Sequence, residues 1–180
     1  FAALGAFGPY IALWLAHGGH STETIGSLYS LYRLCNFCSP MLWGGIADAH
    51  KSHRLLFMVL APANALAVFG VTLYPRSAAY QACGLVLIAM TDASSLLDAI
   101  VVRCLTWAGA SSMAPRSRAF GALAWCVVAP LYGSIEHYYG ITTLFRVYGP
   151  MLMLALPFCA ALPAARAYAE ATESPSSTAR

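Results

Sequence analysis

Charge is scarce in this chain. Asp, Glu, Lys and Arg make up 9% of its 180 residues, against about 25% in soluble domains. The net charge of +3 is too small and too scattered for a nucleic-acid partner. No basic n-region precedes the first apolar run, so no cleaved signal peptide is visible. The chain starts at Phe1 without an initiator Met, and truncation inside or just before a first helix is expected. No P-loop, GxGxxG fingerprint or Ser/His/Asp triad appears. The expectation is a protein that is not an enzyme and needs no cofactor.

Apolar residues fill the space that charge leaves. They are 59% of the chain, more than a soluble core of this size can hide, so lipid is the natural solvent. Six apolar segments stand out, at about 1–16, 25–47, 55–74, 81–103, 119–135 and 144–165. Each is long enough, or nearly so, to cross roughly 30 Å of hydrocarbon. They are too long for barrel strands, so helices must satisfy the backbone within the bilayer. This predicts an all-α membrane protein: a six-helix transmembrane domain over 1–166 and a polar tail over 167–180. The tail is either a C-terminus or the start of a central linker.

Short connectors make neighbouring helices antiparallel. With the N-terminus inside, the inner connectors and tail carry Lys51, Arg54, Arg103, Arg116, Arg118, Arg166 and Arg180. The outer side has Arg76 and Arg146. This asymmetry places both termini in the cytoplasm of an integral membrane protein.

The six cysteines lie in or at the end of apolar runs and read as free thiols rather than a disulfide framework. His17–His20 and His50–His53 have HxxH spacing but lack further ligands nearby, so no metal site is expected. Cys35 and Cys38 have CxxC spacing inside a membrane run, where a redox motif lacks its solvent-open helix start.

Two charges sit where lipid should forbid them. Arg33 lies in the second run and Asp92 near the middle of the fourth. A charge at bilayer depth costs roughly 2.5–3.5 kcal/mol on insertion scales and marks a partner, a cavity or an ion path. Gly26, Tyr29, Arg33, Asn36, Pro40 and Gly44 fall on one helical stripe, polar, small and kink-prone. Arg33 is eight residues into its run, or ~12 Å at 1.5 Å per residue, deep for snorkelling. On the fourth run, Thr91, Asp92, Ser94, Ser95, Asp98 and Arg103 share half of a helical wheel.

An Arg33–Asp92 or Arg33–Asp98 pair is therefore geometrically reasonable. It reads either as a proton or substrate site or as a fixed interhelical pair. An aspartyl-protease dyad would draw both carboxylates from one helix, which argues against it. The polar-cavity candidates are Tyr29, Arg33, Asn36, Asp92 and Asp98. At the inner end of the second helix, Gly44 permits close helix approach, and Asp48 can stabilise a neighbouring helix N-terminus.

In the stretch WGGIADAHKSHR, Gly44 and Asp48 match the inner loop between helices two and three of the major facilitator superfamily. Arg54 matches approximately, while Ala49 and Lys51 replace the usual Arg and Gly. GPYIALWLAHGGHSTETIG and LLDAIVVRCL also look like its lactose-permease-like, or superfamily-associated-domain, branch. The chain resembles the N-terminal half of such a transporter. The resemblance implies six of twelve helices, built as inverted three-helix repeats, with alternating access around a midplane site. Helices one, two, four and five would line the cavity, and Gly44, Asp48 and Arg54 would form an inner gating loop.

The expected function is secondary active transport of a small solute, with protons as coupling ion (symport). The chain would be a fragment that lacks its C-terminal six-helix half. The competing class is a non-transporting polytopic receptor or scaffold that kept the fold.

Overall fold

Proline, glycine and short polar side chains set the element boundaries. A computed structural model describes residues 7–50 and 52–161, except the side chain of Leu144. The segment 162–180, with Arg166, Arg180 and the expected tail, lies outside the described residues, as do residues 1–6 and Lys51.

A 3-10 turn, Gly8–Tyr10, leads into α1, Ile11–His17. Gly19 takes a φ of +82 at the following turn, a region that favours glycine. Then come α2, Thr22–His50, and α3, His53–Val71. Helix α4, Ala78–Met90, is capped by Ser77, whose hydroxyl accepts the Tyr80 N–H. Helix α5 spans Ser94–Trp107, followed by a 3-10 turn, Ser111–Met113. Helix α6 is Ala114–Tyr139, α7 is Ile141–Met153 and α8 is Ala155–Ala161. Among the described residues there is no strand.

Helix α3 is the hub: α4, α5, α7 and α8 all pack on it, and α2 lies along α4. Apolar packing divides into two clusters. One holds Ile11, Trp14, Tyr32, Val68, Ile88, Phe145 and Tyr148. The other holds Ala47, Phe57, Leu60, Ala61, Ala93, Leu96, Ile100 and Cys159. Ser39, Asn64, Thr91 and Asp92 lie between these clusters along α2, α3 and the α4–α5 pair, while Leu152 packs against both. A polar band thus crosses the bundle where two greasy layers meet.

The outer surface reverses the soluble pattern. Leu55, Leu66, Phe120, Leu123 and Phe158 are exposed, which suits acyl chains as the neighbouring phase. Among the described residues four helical stretches are long and apolar enough to cross a membrane: His53–Val71, Ala78–Trp107, Ser111–Tyr139 and Ile141–Ala161. The expected count was six. Helix α2 has the length, but its polar stripe lowers its hydropathy below that of the other four. Helix α1 is short within the described residues.

One boundary differs in kind. The run 81–103 reads as one uninterrupted helix, but residues 91–93 leave the helical path. Local side chains compete with the backbone there. The Thr91 hydroxyl donates back to the Leu87 carbonyl at 2.6 Å. Asp92 Oδ1 accepts the Ser94 N–H at 2.9 Å. That bond reaches two residues forward and starts α5.

Candidate functional site

The break between α4 and α5 releases carbonyl groups in the middle of the Ala78–Trp107 span. In lipid each unsatisfied carbonyl is costly, so neighbouring helices must answer them. From α3, Asn64 Nδ2 donates to the Ile88 carbonyl at 2.8 Å and to Thr91 Oγ1 at 3.1 Å. From α2, Ser39 Oγ and Trp43 Nε1 both donate to the Met90 carbonyl, at 3.2 and 2.5 Å. From α7, the Tyr148 hydroxyl donates to Asn64 Oδ1 at 2.7 Å. Three neighbouring helices therefore tie down one break.

Asp92 sits at the centre. Its Oδ1 holds the Ser94 amide, and its Oδ2 accepts from Asn36 Nδ2 at 3.1 Å. The carboxylate lies at the start of α5, where the helix dipole favours a negative charge. The side chain is half-buried, and its contacts within hydrogen-bond reach are neutral donors. Asn36 and Asp92, two of the five cavity candidates, are thus in direct contact.

Arg33 and Tyr29 form a separate pair. The exposed Arg33 donates from Nη2 to the Tyr29 hydroxyl. Its guanidinium carbon lies 4.8 Å from the Tyr29 ring centre and 5.7 Å from that of Tyr32, within cation–π range. The expected Arg33–Asp92 or Arg33–Asp98 ion pair is not formed. The reason is local. Tyr29, one turn before Arg33 on the same helix, captures the guanidinium, while Asn36 and the α5 amide already satisfy Asp92.

Asp98 faces the other way. Its Oδ2 lies 3.8 Å from Arg118 Nε, across an open crevice between α5 and α6 lined also by Ser95, Val102 and Trp125.

The inner-end candidates separate as well. Asp48 Oδ1 is 2.7 Å from Arg103 Nη2 and 3.2 Å from His53 Nε2. It ties the end of α2 to α5 and to the first residue of α3. His53 is buried, and its Nδ1 has no hydrogen-bond partner among the described residues. Arg54 Nη2 donates to the Ala160 carbonyl on α8. Gly44 corrects an expectation: a Cβ there would meet nothing within 4 Å. Among the described residues no other helix comes within 4 Å of that position.

Sequence reading missed Asn64, Tyr148 and Trp43. Asn64 carried a usable signal, as a lone amide inside the run 55–74. Tyr148 and Trp43 carried none, since both look like apolar filling. Among the described residues no group of three His, Cys, Asp or Glu side chains could hold a metal ion.

No curated protein and no solved structure matches the chain. The sequence profile of the MFS_1 like family matches residues 1–179. That is nearly the full length, and it agrees with apolar helices of the membrane-transporter type. The chain belongs to the MFS_1 like family.

Proposed function

We propose that the chain is the N-terminal half of a secondary active transporter that moves a small solute by alternating access. One observation carries the reading. A carboxylate, Asp92, sits at a helix break midway along a membrane span, held by neutral donors from a second helix and from its own backbone. Such breaks within membranes are tolerated where protein buries them or where they line a water-filled cavity, and in transporters they mark the binding site.

In this reading α1 and α2 join the four apolar spans to make six, and both termini face the cytoplasm. A second six-helix half, absent from these 180 residues, completes the cavity against the open stripe of α2. Tyr29, Arg33, Asn36 and Asp92 face that cavity. Asp92 is the carboxylate this reading assigns to coupling, because it sits at the mid-span break and is in contact with α2 through Asn36. Asp98 and Arg118 lie on the inner approach. Asp48, Arg103, His53 and Arg54 close the inner end.

The test is uptake by the full-length native protein in proteoliposomes, across a panel of small solutes, with and without an inward proton gradient. The reading expects accumulation of at least one solute, increased by the gradient. A well-folded protein that accumulates none would instead support a receptor or scaffold that keeps the fold.

A further inference from the structure

Arg33 is a cation inside the bundle's span with no carboxylate within ion-pair distance among the described residues. It lies eleven residues inside the first residue of α2, or about 16 Å along the helix. A guanidinium cannot lose its proton, so at that depth its charge needs water or an anion. The nearest acidic candidate, Asp92, is engaged elsewhere.

The surroundings of Arg33 prepare it for an anion. Tyr29 accepts one guanidinium N–H, which leaves the phenol's own O–H proton free to donate. The Tyr29 and Tyr32 rings hold the guanidinium in place, so little side-chain freedom remains to be lost on binding. The remaining N–H groups form a fork of the shape that a carboxylate fills with two parallel bonds. Phe37, one turn further along, is 72% exposed, so among the described residues no helix covers the guanidinium on that side. A ligand therefore has room and an apolar surface to lie against.

We propose that Arg33 and Tyr29 bind the carboxylate of a small organic acid, and that the transported solute is such an acid. This rests on the transporter reading above. A lipid phosphate shares the chemistry, but Tyr29 draws the guanidinium only one turn toward the outer end. That turn begins seven residues, about 10 Å, inside the helix start. A lipid headgroup is therefore tested directly, as a separate arm of the experiment.

The experiment measures equilibrium binding to the purified full-length protein in neutral detergent. The probes are acetate, benzoate and glutarate, each against its amide, with phosphatidylglycerol as the lipid arm. At least one acid is expected to bind while its amide does not. Arg33→Gln should weaken that acid at least about tenfold. Arg33→Lys, which keeps the charge but loses the fork, should fall between, and Tyr29→Phe should weaken binding less than Arg33→Gln. Arg33 is exposed, so these variants should keep the native melting temperature. Overturning results are that no acid binds, that an acid binds equally well to Arg33→Gln, or that phosphatidylglycerol alone binds in an Arg33-dependent way. Uptake measured in parallel separates the two readings. Arg33-dependent acid binding without uptake would remove transport and leave the anion site. Uptake of a neutral solute unaffected by Arg33→Gln would do the reverse.

Discussion

Asn36 on α2 donates to Asp92 at the α4–α5 break across 3.1 Å, and that single bond joins two helices at mid-span. It is half of what holds the Asp92 side chain, the other half being the Ser94 amide. Replacing Asn36 by Ala leaves Asp92 Oδ2 half-buried without its donor. The expected cost is about 1–3 kcal/mol, read as a lower melting temperature in detergent. Asn36→Asp should be worse, because it sets two carboxylates against each other.

Asn64 answers three groups at once: Ile88, Thr91 and Tyr148. Asn64→Leu should therefore cost more than Tyr148→Phe, which removes one donor and costs about 0.5–1.5 kcal/mol. The double variant should cost less than the sum of the two, because both remove the same bond. Melting temperatures of the four species complete that cycle.

Two glycines should respond in opposite directions. A Cβ on Gly84 would clash with Val71 Cγ2, so Gly84→Ala should destabilise by about 1–3 kcal/mol through overpacking of α4 on α3. Gly44 has open space around it. Gly44→Ala in the 180-residue chain should stabilise α2 by up to about 1 kcal/mol. Loss of stability from Gly44→Ala in the full-length protein alone would place a further helix against that site.

The inner cluster is largely solvent-facing. The Asp48 side chain is 65% exposed and that of Arg103 is 49% exposed, so the pair contributes at most about 1 kcal/mol. Arg103→Gln should barely move the melting temperature. It should nevertheless speed hydrogen exchange of the amides at the α2–α3 turn, which Asp48 holds through His53. Unchanged exchange there would deny Asp48 a latching role.

How much of this was legible in the sequence depends on the kind of signal. Apolar runs announced α3, α4, α6 and α7, because lipid demands long uninterrupted greasiness. The stripe through Tyr29, Arg33, Asn36 and Gly44 does not map onto one face of α2: Arg33 is exposed, while Asn36 reaches Asp92 and the off-stripe Leu28 is buried. The break at residues 91–93 was hidden, since Thr and Asp occur within helices too, and only the partners on α2, α3 and α7 make leaving the helix affordable. Pairing by opposite charge misled for Arg33: a phenol one turn away on the same helix is closer than a carboxylate on another. Gly44 looked like a packing contact, yet its surroundings are set by tertiary neighbours that spacing does not reveal.

The central claim is that Asp92 serves transport. Its most direct test is solute uptake by the full-length protein carrying Asp92→Asn, with Asp98→Asn alongside, across an imposed proton gradient. Asp92→Asn should abolish gradient-driven accumulation while leaving a folded protein that still exchanges solute at equilibrium. Uptake at the native rate, and independent of pH in both variants, would contradict the account.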